Sequence, residues 1–159
     1  MIRSFNNADA EYMVNSHYDI YQREYGYDLS FKEFIENSVN DFVDTADRNC
    51  EHIWILDLEG KQRGSIGLTR VNEATAQLRL FLIDPEARGF GFGGKLVKQA
   101  IDFARSNKYK KIILWTNSDL KSARHLYNRF GFKLVERKTS TLSNQILTEE
   151  RWELPLQDY

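Results

Sequence analysis

Four of the nine glycines in this chain fall within Arg88-Gly-Phe-Gly-Phe-Gly-Gly-Lys-Leu96. Glycine lets backbone N–H groups approach a ligand closely, and the N-terminus of a following helix favours an anion. Phosphate binding is therefore the chemistry this segment could do; a plain surface turn would use the same residues. Two known phosphate patterns overlap it without completing. Gly89-x-Gly91-x-x-Gly94 has the dinucleotide spacing, but that motif needs a strand running straight into its first glycine, and Asp84-Pro-Glu-Ala-Arg88 intervenes. Gly89-x-x-x-x-Gly94-Lys95 has the P-loop spacing, but Leu96 stands where a Ser or Thr should hold magnesium.

The elements that must position this loop are legible on both sides of it. Ala76-Gln-Leu-Arg-Leu-Phe-Leu-Ile83 alternates and then becomes continuously apolar, which predicts a strand passing into a fully buried place in a sheet. Gly93 to Ser106 carries an apolar stripe of Leu96, Val97, Ala100, Ile101, Phe103 and Ala104, which predicts a helix. Upstream, Ile2 to Phe5 reads as a strand. Ala8 to Tyr25 reads as a helix stopped at Gly26. A second helix is expected to open at Ser30, with Ser30-x-x-Glu33 as a capping box and Phe34, Ile35, Val39, Phe42 and Val43 on its apolar face. Ile53 to Leu58 and Ser65 to Val71 flank Glu59-Gly60-Lys61 as a hairpin. Downstream come a strand from Lys111 to Thr116 and a helix from Leu120 to Phe130 ended by Gly131. Strands at Lys133–Ser140 and Arg151–Leu156 close the chain. The order is β-αα-βββ-α-β-α-ββ, an α/β (α+β) arrangement. The early meander implies antiparallel pairing, and the strand-helix-strand unit after the loop implies a parallel crossover.

At 159 residues the chain suits one domain, read here as residues 1–159. The formal net charge of −1 calls for neither nucleic acid nor an anionic membrane. No apolar run reaches the length of a membrane span, and Met1 to Ala10 lacks the apolar core of a signal peptide. Cys50 is the only cysteine, which excludes an internal disulfide. His52 and His125 lack paired ligand spacing, and no metal is expected. A cytoplasmic location is the default expectation.

Arg88-x-x-Gly91-x-Gly93 has the form Q/R-x-x-G-x-G/A, and Ala123-Arg-His-Leu-Tyr127-Asn-Arg-Phe-Gly131-Phe132 has the form A-x-x-L-Y-x-x-x-G-F. In these two segments, in this order and separated by one helix and one strand, the chain resembles the GNAT N-acetyltransferase superfamily. Through Trp115-Thr-Asn117 and Tyr25-Gly-Tyr27 it is most similar to the acetyltransferase domain fused to some MarR-type regulators, here standing alone without room for their DNA-binding half. The resemblance implies a mixed, mostly antiparallel sheet of about seven strands flanked by about four helices. It also implies transfer of an acetyl group from acetyl-CoA to a primary amine by direct attack in a ternary complex. The alternative is a non-catalytic acyl-CoA-binding or regulatory module on the same scaffold.

The resemblance assigns roles residue by residue. The loop Arg88, Gly89, Phe90, Gly91, Phe92, Gly93, Gly94 and Lys95 would hold the coenzyme A pyrophosphate, chiefly through backbone N–H groups. Arg88 would add charge, Lys95 could reach a phosphate or stay solvated, and Phe90 and Phe92 would pack near the pantetheine. Phe81, Leu82 and Ile83 lie on a strand expected to splay from Ile112–Asn117 and admit the acyl-pantetheine. Leu82 is the expected N–H donor to the thioester carbonyl. Tyr127 would protonate the departing thiolate. Relatives carry Asn at the position of Leu120; Asn117 either replaces that contact or caps the next helix. Arg124 could meet a phosphate or lie on a solvated face. Glu24, His17, Glu73 and Asp84 are candidate bases by position. The aromatic run Tyr12, Tyr18, Tyr21, Tyr25, Tyr27 and Phe31 could face a cationic amine or simply pack. No nucleic acid or membrane partner is expected, and the paired C-terminal strands could form a homodimer.

Overall fold

A computed structural model describes residues 1–142 and 145–156. The elements are β1 (Ile2–Ser4), α1 (Ala10–Tyr25), α2 (Leu29–Thr45), β2 (His52–Leu58), β3 (Lys61–Arg70), β4 (Thr75–Ile83), α3 (Phe92–Ser106), β5 (Lys111–Asn117), α4 (Lys121–Arg129), β6 (Lys133–Leu142) and β7 (Gln145–Pro155). The strands form one sheet in the order β1-β2-β3-β4-β5-β7-β6. Every pairing is antiparallel except β4 with β5. This is the mixed seven-stranded sheet that the element order implied.

Strand alternation divides the core. Trp54 and Leu56 of β2 point into a cluster with Leu96, Val97, Ala100 and Ile101 of α3 and Tyr127 of α4. Their neighbours Ile53 and Ile55 point into a second cluster with Met13 and Val14 of α1 and Phe31, Ile35, Val39 and Phe42 of α2. The period-two face change of a strand thus feeds both helical layers from one sheet. The β2–β3 hairpin turns on Glu59 and Gly60, both with positive φ, the backbone of a type I′ turn.

Three expectations are corrected. Asp28, not Ser30, is the N-cap of α2; its carboxylate accepts from the Ser30 N–H at 2.9 Å. The helix therefore starts earlier, and its buried stripe is Phe31, Ile35, Ser38, Val39 and Phe42, leaving Phe34 52% exposed. The last strand begins at Gln145 rather than Arg151, because ion pairing lets charged residues sit in its first half. The end of β4 is not fully buried: Phe81 and Ile83 are only half-buried, since the sheet opens beside them.

That opening follows from the register. β4 and β5 pair only at Thr75–Lys111, Ala76–Ile112 and Gln77–Ile113. β5 stays paired to β7 along its whole length, so beyond Gln77 it is β4 that leaves. On its other side β4 bulges. Ser65 stands opposite Leu82 and Gly67 opposite Arg79, so Leu80 and Phe81 together face Ile66. Leu80 takes φ of 56°, a left-handed conformation uncommon for a branched residue, and its carbonyl accepts the Ser65 hydroxyl at 2.7 Å.

Candidate active site

A cleft of about 470 Å³ opens where β4 leaves the sheet. Its walls come from α1 (Ile20, Tyr21, Glu24, Tyr25), the end of β4 (Phe81, Leu82, Ile83), the glycine loop, and one face of α4. Arg88, Gly89, Gly91, Phe92, Gly93 and Gly94 line it at the loop. Gly89 and Gly91 adopt φ of 87° and 81°, which only glycine takes without strain, and Gly91 is the N-cap of α3. Among the described residues, the backbone N–H groups from Gly89 to Gly94 have no protein acceptor; the first intrahelical bond runs from Lys95 to Gly91. Successive free amides at the positive end of a fifteen-residue helix make a cradle for an anion.

The backbone of β4 presents further donors. The Asp84 N–H donates to Arg63 of β3, and the Leu82 carbonyl also lies on the β3 side, close to Gly64. Peptide groups alternate along a strand, so Leu82 directs both its N–H and its C=O to β3, not to the cleft. A trans peptide sets each N–H opposite the preceding carbonyl. The carbonyls of Leu80 and Leu82 face β3, so the N–H groups of Phe81 and Ile83 face the gap toward β5. The sequence expectation named Leu82 as donor; the bulge and register shift that geometry to its two neighbours.

The side chains fall into two groups. Tyr127 is 6% exposed, with its ring 6.2 Å from Phe81 and 5.8 Å from Phe132. It sits behind Phe81 rather than among the cleft-lining residues. Its hydroxyl has no hydrogen-bond partner among the described residues. Burial raises its pKa far above the ordinary tyrosine value, and the nearby Tyr21 hydroxyl adds to the rise. Tyr21 and Tyr25 line the cleft, and with Tyr27 and Phe31 they form a packed aromatic cluster with ring centroids 4.9–6.0 Å apart.

Several charged and polar residues are committed elsewhere. The Arg88 guanidinium donates to both carboxylate oxygens of Glu24, at 2.8 and 2.9 Å, and its Nε to the Ile83 carbonyl at 3.1 Å. This pairing holds Glu24 below the usual carboxylate range. Arg124 pairs instead with the buried Glu150 of β7 at 2.7 and 3.1 Å and is absent from the cleft lining. Asn117 uses both ends of its amide: Nδ2 donates to the Tyr27 hydroxyl at 2.7 Å and Oδ1 accepts from the Asp119 N–H. It therefore shapes the turn before α4 and anchors Tyr27. Lys95 is exposed, its ammonium 5.6 Å from the Phe92 ring centroid, and Phe90 is 70% exposed. Of the four candidate bases only Glu24 borders the cleft. His17 is buried, with Nδ1 2.7 Å from the Met13 carbonyl and a pKa lowered by burial to about 4. Glu73 lies in the exposed β3–β4 turn, and Asp84 caps the short helix Pro85–Ala87.

Sequence reading missed one feature of the cleft. Lys121, His125 and Arg129 are exposed, line it together, and follow one another at four-residue intervals along α4. Helical spacing of basic residues next to Tyr127 was the available signal.

Known proteins resemble this chain in sequence and in fold. A profile of the Acetyltransferase (GNAT) family matches residues 14–132. Human N-acetyltransferase 8B is 35% identical over 85 residues, covering 50% of this chain and 37% of the relative. An uncharacterized N-acetyltransferase of Schizosaccharomyces pombe is 26% identical over 117 residues, covering 73% of this chain and 72% of the other. The alignment to the human relative thus spans little more than a third of that protein's length. A GNAT-family acetyltransferase of Staphylococcus aureus Mu50 superposes with a TM-score of 0.81 at 20% identity over 99% of both chains. The spermidine N-acetyltransferase of Vibrio cholerae, solved with CoA and spermine, superposes with a TM-score of 0.73 at 22% identity, covering 98% of this chain and 94% of that one. With the profile spanning most of the chain, including the loop, the bulged strand and the Tyr127 helix, this protein belongs to the GNAT acetyltransferase family.

Proposed function

We propose that the chain is an acetyl-CoA-dependent N-acetyltransferase acting on a primary amine. The observation that carries this reading is the run of unpaired N–H groups from Gly89 to Gly94 at the mouth of a cleft between parting strands. A pyrophosphate on that cradle directs the attached pantetheine along the end of β4. There the Phe81 and Ile83 N–H groups meet an extended chain as a neighbouring strand would, and one is available to the thioester carbonyl oxygen as negative charge develops. The acceptor nitrogen forms a bond to the carbonyl carbon, and the carbon–sulfur bond breaks. With Phe81 turned aside, the Tyr127 hydroxyl behind it donates a hydrogen bond to the departing sulfur. The proton lost by the amine passes to water, because Glu24, the one of the four candidate bases at the cleft, has both carboxylate oxygens taken by Arg88. Arg88 serves this site by fixing Glu24 and the Ile83 carbonyl. Arg124 has no part in it.

The acceptor enters on the α1 side, where Tyr21, Tyr25 and Glu24 form the wall. Aromatic faces with a nearby carboxylate suit a cationic amine, of which the spermine in the Vibrio cholerae neighbour is an example. A cytoplasmic location, where the lone Cys50 thiol stays reduced, belongs to the same reading.

The test is thermal denaturation with acetyl-CoA or with Mg-ATP, followed by thiol release with a panel of amines. Acetyl-CoA at about 100 times its Kd should stabilise the protein by about 2.7 kcal/mol while Mg-ATP does nothing. Spermidine, a lysine-containing peptide and a peptide with a free N-terminus should then separate by rate. Coenzyme binding with no turnover on any amine would leave a binding module; no stabilisation by acetyl-CoA would end the reading.

A further inference from the structure

We propose that Ser65 of β3 is a positioning residue for acetyl transfer: by holding the Leu80 carbonyl it aims the Phe81 N–H into the cleft, at the thioester oxygen. The inference rests on the coenzyme reading above and names what keeps its oxyanion donor in place. A peptide group is rigid, and its C=O and N–H point in opposite directions. The Leu80 carbonyl and the Phe81 N–H belong to one such group. The Ser65 hydroxyl donates to that carbonyl at 2.7 Å. Fixing one end of the unit on the β3 side fixes the other end toward the gap between β4 and β5.

The unit needs an anchor. Leu80 holds φ of 56°, a left-handed backbone that L side chains disfavour. The β4–β5 ladder ends at Gln77–Ile113, short of Leu80, so no ladder bond sets its angles on that side. Rotation of Leu80 toward ordinary strand angles relieves the strain and swings the Phe81 N–H away from the cleft. β3 is shaped to oppose this. An added Cβ at Gly64 would lie 2.7 Å from the Leu82 carbonyl, and one at Gly67 would lie 3.3 Å from the Arg79 carbonyl. The two glycines let the β4 backbone press close to β3 on either side of the bulge. Between them Ser65 is 1% exposed. Packing alone favours an apolar side chain there, because burying a hydroxyl costs free energy unless it is hydrogen-bonded. The bond it makes goes to the residue with the left-handed backbone. The Leu80 side chain packs against the α1–α2 cluster, which braces the bulge further.

The experiment compares Ser65→Ala with Ile35→Val, which removes one methyl group from the buried face of α2, outside the cleft lining. The backbone angle of Leu80 is read by NMR without any ligand, from its HN–Hα coupling and intraresidue NOE. The Kd of acetyl-CoA is read by calorimetry, and kcat by thiol release with the fastest amine of the panel. In Ser65→Ala, Leu80 should leave its positive φ and kcat should fall about 10- to 100-fold. The Kd should stay within about threefold, because the loop amides are untouched. Ile35→Val should keep the Leu80 signature and hold kcat within about twofold, the result where only packing is lost. Unchanged Leu80 angles in Ser65→Ala would overturn the proposal whatever the rates. So would a relaxed Leu80 with kcat intact, or a loss confined to Kd. An unaltered protein that acetylates no amine is a different failure: it removes the enzyme reading itself, and the positioning role with it.

Discussion

A phenol held in its protonated form as firmly as that of Tyr127 is a hydrogen-bond donor more than an acid. Its raised pKa lies far above the ordinary thiol value of about 8.5, so complete proton transfer to a thiolate is uphill. What it can do is stabilise the growing charge on sulfur. Tyr127→Phe keeps the ring packed against Phe81 and Phe132 and removes a hydroxyl with no protein partner. Thermal stability should stay within about 0.5 kcal/mol. The turnover number, measured by thiol release, should fall about 100-fold, as for loss of one preorganised donor. The sign of the shift also fixes the pH behaviour. A raised pKa keeps the phenol protonated as pH rises through about 10, the ordinary tyrosine value, so no alkaline loss of activity should arise from Tyr127 there. A loss near pH 10 present in the unaltered protein and absent in Tyr127→Phe would contradict this.

At the scale of elements, the loop and the head of α3 make two different demands on glycine. Gly91 has φ of 81° with nothing within 4 Å of an added Cβ, so the demand is conformational. Gly94 has no such φ, and an added Cβ would make ordinary contacts with Leu126 and Phe130 at 3.9–4.0 Å. Gly91→Ala should therefore destabilise by about 1–2 kcal/mol through strain. Gly94→Ala should stabilise α3 by about 0.5–1 kcal/mol, the helix-propensity gain. If the amides hold the pyrophosphate closely, both variants should still bind acetyl-CoA at least tenfold more weakly, which is about 1.4 kcal/mol. Gly94→Ala is the cleaner probe, because weaker binding in a more stable protein comes from crowding of the ligand. A variant that is more stable and binds equally well would argue against close backbone contact at that position.

At the scale of the molecule, α4 is tied to the far strands by one buried carboxylate. Glu150 is fully buried and accepts from Arg124, Arg137 and the Trp152 indole. Burial alone would raise its pKa; the hydrogen bonds from Arg124, Trp152 and Arg137 outweigh it and hold the folded value below the ordinary one. A depressed folded pKa gives stability that is present above the unfolded pKa of about 4.3 and is lost as pH falls through the folded value. Glu150→Gln should destabilise by about 3 kcal/mol at neutral pH, as when one partner of a buried pair is removed. The gap between variant and unaltered protein, followed by denaturant unfolding, should close as pH falls below 4 or so. A gap that stays constant with pH would assign the loss to packing rather than to charge.

Local chemistry determined much of this protein from sequence alone. Strand alternation and helical stripes gave the element order, because burial on one face leaves a periodic trace. The glycine loop and the Tyr127 segment stood out because close backbone approach and a tight helix end restrict residue choice locally. Ion-paired strands were less legible: the first half of β7 reads as polar, and only Arg124 of α4 and Arg137 of β6 show why Glu150 can be buried there. The β4 bulge had no local signature either, since Leu80 takes its left-handed backbone from a register shift against β3. That shift decided which amides face the cleft, and no single strand records it. Likewise Arg88 and Arg124 read as free cations until Glu24 and Glu150, 64 and 26 residues away, came into contact with them. Charge type is written in sequence, but charge pairing between distant residues exists only once the chain has closed on itself.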